Sequence, residues 1–192
     1  MKLGLPDCAK VRVWVSDEMR FGLQPVTRRV WALRGERPVA PNDPRYQWGY
    51  TYGAIEVGGE GAAEFIHTPT VSLATSLEFL RELAASDPGS HHVVIWDGAG
   101  FHQRNGDKSL PANVSLIKLP AYSPELNPIE KLWDVVKDRI CNVRWKNLNA
   151  LEAAITAVLR EYWTTPSRVK SLVGEGWMTL QANCSNLAVR AI

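Results

Sequence analysis

Three acids stand where the sequence changes character: Asp17, Asp97 and Glu130. Asp17 follows Val11–Ser16, an alternating run of β-branched and aromatic residues that reads as a strand. Asp97 follows His92–Trp96, a continuous apolar run of the kind found in strands buried on both faces. Glu130 falls at the third position of a helix that Asn127 would cap and Pro128 would open. Each acid has a plain structural reading: a solvated loop acid, a turn aspartate, the glutamate of a capping box. Three carboxylates brought to one edge would instead raise one another's pKa unless a cation joined them. Oxygen-only donors without a Cys/His set favour Mg²⁺ or Mn²⁺ over Zn²⁺. Two such ions about 4 Å apart serve phosphoryl transfer, so the expected substrate is a phosphodiester.

The elements between these acids must bring them together. Gln47–Val57 and Ala62–Pro69 read as strands joined by the turn Gly58–Gly61, which with Val11–Ser16 makes a three-stranded meander. Trp48, Tyr50 and Tyr52 share one face by period two and read as packing residues. The spacing of Leu73, Leu77, Leu80 and Leu83 predicts a helix over Ser72–Ser86, ended by Asp87-Pro88-Gly89. Val114–Leu119 is a further strand. Helices follow over Pro128–Ile140, with Ile129, Leu132, Trp133, Val136 and Ile140 on its apolar face, and over Leu148–Tyr162. Ser167–Val173 reads as a short turn, and 174–192 as a loosely packed tail. This order predicts an α/β fold: a five-stranded mixed sheet flanked by helices, as one domain over 1–173. If the first and fourth strands are neighbours, the three acids share one edge.

Composition bounds the function classes. The chain has 192 residues, 45% hydrophobic and 22% charged, with a net charge of +2. That is an ordinary globular balance, and DNA binding would have to come from local patches. Arg28, Arg29, Arg34 and Arg37 surround Trp31 in the loop-rich stretch Phe21–Pro44. They read either as a solvated basic loop with one aromatic anchor or as an arm that faces phosphate. Lys137, Arg139, Arg144 and Lys146 form a second patch around a helix C-terminus, where they also complement the helix dipole. His102, near Asp97, is either a loop residue or a group that orients water or phosphate. Cys8, Cys141 and Cys184 are odd in number and widely spaced, which fits reduced thiols. No apolar run reaches the roughly 20 residues of a membrane span, and no signal-peptide core is visible. The expected location is the cytoplasm.

Four stretches carry a family resemblance. They are Ser16-Asp17-Glu18-Met19-Arg20-Phe21-Gly22, Arg29-Val30-Trp31-Ala32-Leu33-Arg34-Gly35, Trp96-Asp97-Gly98-Ala99-Gly100-Phe101-His102, and the long Leu119–Trp133 motif, LPAYSPELNPIEKLW. Together they resemble the catalytic domain of DDE transposases, in the bacterial insertion-sequence branch of the Tc/mariner superfamily. The 33 positions from Asp97 to Glu130 resemble the short interval of that superfamily. The resemblance implies a ribonuclease-H-like fold with Asp17, Asp97 and Glu130 as ligands of two Mg²⁺ (or Mn²⁺) ions. It implies hydrolysis of a phosphodiester at a transposon end, then attack of the freed 3′-OH on target DNA. Glu18 matches an acid that follows the first Asp and is not expected to touch the metal. The implied partners are double-stranded transposon-end and target DNA, with a homodimer in the DNA complex. Relatives carry helix-turn-helix domains before the catalytic domain. Asp17 lies too near the start to leave room for them, which reads as the product of a second reading frame, a cut chain or a truncated remnant, with a separate helix-turn-helix chain as one source of end binding.

Other readings compete. A structure-specific nuclease on the same fold would use the same acids. A non-catalytic, transposase-derived DNA-binding or interaction module would not need them. A two-carboxylate glycosidase using Glu18 and Glu130 would leave Asp97 and the arginines without a role.

Overall fold

The computed structural model describes residues 10–120, 126–174, 176, 178–180 and 182. Five strands form one sheet: β1 (Lys10–Gly22), β2 (Trp48–Glu56), β3 (Ala63–Thr68), β4 (Ser90–Trp96) and β5 (Val114–Lys118). Their order is β3-β2-β1-β4-β5. The hairpin strands β1–β2 and β2–β3 pair antiparallel, whereas β1–β4 and β4–β5 pair parallel. β1 is therefore central, and it is the one strand with a partner of each kind.

Helices cover both faces. α1 (Leu73–Ser86) lies on one side, where Phe79, Leu80 and Leu83 meet Trp14, Tyr52 and Trp96. Ser72 caps it through a reciprocal pair of bonds with Thr75. α2 (Ile129–Ile140), α3 (Leu148–Trp163) and α4 (Pro166–Val173) lie on the other side, over Val15, Met19 and Ile55. Because side chains alternate along a strand, odd residues of β1 face α2 and even ones face α1. β4 is buried along its whole length, as its unbroken apolar pattern requires.

The structure corrects several expected boundaries. β1 does not stop at Ser16: it runs to Gly22, because β2 continues to pair with it from Gly53 to Trp48. Asp17 and Glu18 are therefore strand residues, held by the backbone ladder with β2. Residues 166–173 form a full helix, since Pro166 opens α4 and Val169 and Val173 are buried beneath it. Beyond it, Met178 packs on the core, so the stretch expected as a loose tail is seated at least to that point. Residues 183–192 lie outside the described residues, as do Cys8, Cys184 and the expected rigid turn at 121–125. Trp48, expected in the packing row with Tyr52, is 43% exposed and lies under the Arg20 guanidinium. No helix among the described residues is long and apolar enough to cross a membrane.

Candidate active site

Parallel pairing of β1 with β4 runs to Val15 opposite Ile95. Two residues further along each strand stand Asp17 and Asp97, at the same end of the sheet. α2 begins above this end. Asn127 ties it down, donating from Nδ2 to the Ser16 carbonyl at 3.1 Å while its Oδ1 accepts from the Ile129 N–H at 3.3 Å. The helix thus starts one residue later than the sequence suggests. Asn127 serves both the helix end and β1.

Glu130 and Trp133 are three apart and share the face of α2 turned to β1. The Trp133 indole N–H donates to Asp17 Oδ2 at 2.9 Å. The ring reaches that position because Gly53, paired with Asp17, has no side chain. A Cβ there would stand 2.6 Å from Trp133 Cη2 and 3.0 Å from Phe65. Gly53 and Trp133 are parts of the site that sequence reasoning treated only as strand and apolar face. A glycine inside a strong strand pattern was the available signal, since it marks close approach by another group.

Asp17 has a strongly shifted acidity. Burial, then the charges of Glu130 and Glu18, push its carboxyl up to about 7. The Glu130 carboxylate makes no capping-box bond, or any other hydrogen bond, among the described residues. Asp97 is exposed at the mouth of the site, and its Oδ1 accepts from the Ala99 N–H at 2.9 Å. Among the described residues, no three acidic, His or Cys side chains are drawn close enough to grip one ion. Asp17 and Glu130 are close enough to repel, and Asp97 is held on its own loop. A partly buried carboxylate with a like-charged neighbour and, among the described residues, no cationic partner is a fitting donor set for a hard divalent cation.

His102, expected on a loop facing water or phosphate, is buried instead. Nε2 donates to the Glu18 carboxylate at 3.0 Å, and Nδ1 lies 3.0 Å from Asp97 Oδ1. Burial alone would lower its pKa, but the hydrogen bond and charge of Glu18 outweigh it and the pKa is raised.

The basic residues divide. Arg28 is bound to Asp134 and Asp138 of α2 at 3.0 and 3.1 Å, and so fastens the loop after β1 to that helix. Arg144 lies 3.7 Å from Asp43, which Arg45 also holds. Lys137 is half-buried beside Arg20 and Trp145. Arg29 and Arg34 stand in a fully exposed run from 26 to 40. Trp31 anchors nothing: its side chain is wholly exposed.

A ribonuclease-H-like sheet with acids at one end of its central parallel strands defines a nuclease-type catalytic domain. The sequence pattern of the DDE superfamily endonucleases matches residues 12–152, and the chain belongs to that family. A protein of Sinorhizobium fredii, y4pE/y4sA, is 32% identical over 133 residues, covering 68% of this chain and 96% of the relative. The 39 kDa protein of insertion element IS630 from Shigella sonnei is 27% identical over 154 residues, covering 75% of this chain but 45% of the relative. The Mos1 mariner transposase has a similar fold. Its catalytic domain matches 84% of this chain and 80% of its own length at TM-score 0.52 and 15% identity. Its paired-end complex with Mg matches 91% and 55% at TM-score 0.55 and 17% identity.

Proposed function

We propose that the chain is the catalytic domain of a DNA transposase that cuts phosphodiesters at transposon ends and transfers the freed 3′-OH to target DNA. Asp17, Asp97 and Glu130 would hold Mg²⁺ or Mn²⁺, in the two-ion arrangement suited to this chemistry. The observation that carries the reading is Asp17 beside the α2 glutamate, at the same end of the sheet as Asp97, in a chain of the DDE endonuclease family. The Mos1 complex that holds Mg supports the choice of ion.

Bound cations stabilise the negative charge that develops on the attacking and leaving oxygens. The chain's own residues supply the frame. The ladder with β2 fixes the Asp17 backbone, and Trp133 orients its carboxylate. Asn127 locks α2, and with it Glu130, to the residue before Asp17. Arg29 and Arg34, exposed on the arm, are placed to meet backbone phosphates, with double-stranded DNA as the partner. Recognition of particular ends is assigned to a helix-turn-helix part. A homodimer on paired ends and a cytoplasmic location complete the reading.

The test is nicking of supercoiled plasmid by the purified chain in Mn²⁺, with joining of a 3′-OH oligonucleotide to plasmid as the second readout. Both activities are expected to require the cation and to fall by about a hundredfold or more in Asp17→Asn and Asp97→Asn. Nicking that survives both substitutions would sink the proposal. Nicking without joining would leave a nuclease.

A further inference from the structure

The imidazole of His102 sits between the strand that carries Asp17 and the loop that carries Asp97, with every edge in use. Its plane lies parallel to the Trp96 ring, 4.1 Å away and tilted by 4°. Phe101 packs edge-on at 4.7 Å. Nε2 is 3.0 and 3.1 Å from the two Glu18 oxygens. Nδ1 is 3.0 Å from Asp97 Oδ1 and 3.2 Å from the Asp97 carbonyl oxygen. The side chain of His102 is 2% exposed and that of Glu18 7%.

These contacts leave the Asp97 carboxylate divided. Oδ1 is met by the His102 ring and by the Ala99 N–H. Oδ2 has no hydrogen bond among the described residues. A carboxylate pinned by one oxygen presents the other in a fixed direction. Ligand carboxylates and imidazoles at metal sites are oriented by such outer partners.

Glu18 explains why the ring stays in place. It follows Asp17 on β1, so the two side chains leave the strand on opposite faces. Asp17 turns to Trp133 and α2, and Glu18 turns to His102. A buried carboxylate needs a charged or N–H partner, and among the described residues His102 supplies it. One dipeptide of β1 therefore carries one acid of the site and the anchor of another.

Building on the metal-site reading above, we propose that Glu18 and His102 form a positioning pair that fixes Asp97 with one oxygen free for the cation. Neither residue contacts cation or DNA. His102 acts through Asp97, and Glu18 acts through His102.

The test is Mn²⁺ binding to the full chain, read by electron paramagnetic resonance. His102→Ala is expected to weaken binding about 10- to 100-fold, with added imidazole restoring part of it. Because His102→Ala strands buried Glu18, the neutral double variant Glu18→Gln/His102→Gln is measured beside it. Those two amides can bond to each other, so the fold should persist, and Mn²⁺ affinity should fall to a similar degree. The inference is overturned if a folded variant of either kind binds Mn²⁺ as the wild type does while Asp97→Asn does not. A wild type that binds no Mn²⁺, alone or with a DNA duplex, overturns the metal-site reading and the inference with it. So does binding unchanged in Asp97→Asn.

Discussion

β1 carries two buried charge arrangements five residues apart, and they differ in how completely they are satisfied. At its start, Arg12 forks onto Glu56 at 3.0 and 3.2 Å and reaches Asp87 at 3.4 Å. Glu56 also accepts the backbone N–H groups of Gly61 and Ala62. At the other end, Asp17 has the Trp133 N–H and two acidic neighbours. The first arrangement is balanced and closed, as a buried ion pair must be. The second is left in need of positive charge. That asymmetry separates a residue that holds the sheet together from one that, on the reading proposed above, would meet a cation.

Breaking the closed end should cost most. Arg12→Ala leaves Glu56 buried without its cation, and about 3–5 kcal/mol of stability should be lost in urea unfolding. A loss below 1 kcal/mol would show that the pair is not what closes that end.

At the open end the sign reverses. The Asp17 pKa, near 7 in the fold, lies above the unfolded carboxylate value of about 4. The folded state therefore binds the proton more tightly, and the cation-free protein loses stability as pH rises from about 4 to about 7. Asp17→Asn removes that loss and keeps an acceptor for Trp133. It should stabilise the cation-free fold by about 4 kcal/mol at pH 7.5, and by little at pH 4. Equal melting temperatures at pH 7.5 would contradict the shift. Adding Mn²⁺ should then raise the wild-type melting temperature and leave the variant unchanged.

Gly53→Ala probes the shape of the open end. The new methyl would displace Trp133, at a cost of about 1–3 kcal/mol, and nicking should fall because Asp17 loses its N–H donor. Full activity would remove Trp133 from the account.

The smallest effect is expected at the arm. Arg45 holds the Asp43 carboxyl well below the usual carboxylate range, by hydrogen bonds first and charge second. Its folded pKa is depressed, so the stability it lends is present above about pH 4 and is lost as pH falls further. Limited proteolysis between residues 26 and 40 should accelerate below pH 4, and in Asp43→Asn it should already be fast at neutral pH. Cleavage indifferent to both would detach the arm from that pair.

The sequence made the mixed sheet legible because its strands are either alternating or wholly apolar, and periodicity reports burial. It also singled out Asp17, Asp97 and Glu130, and the neighbouring of β1 and β4 puts Asp17 and Asp97 at the same end of the sheet. It misplaced the end of β1, because Asp17 and Glu18 look like loop residues until the pairing with β2 is known. His102 was unreadable for the same reason: its partner Glu18 is 84 positions away. Arg28 looked like a phosphate contact because nothing local shows that α2 brings Asp134 and Asp138 to it. Pairings between distant residues leave no periodic trace.

Asp17, Asp97 and Glu130 are proposed above to bind a divalent cation together. Anomalous scattering from crystals of the chain grown with Mn²⁺ and a DNA duplex tests it most directly. Manganese density bounded by those three carboxylates is expected. Density elsewhere, or none at these acids in crystals that hold the duplex, would contradict it.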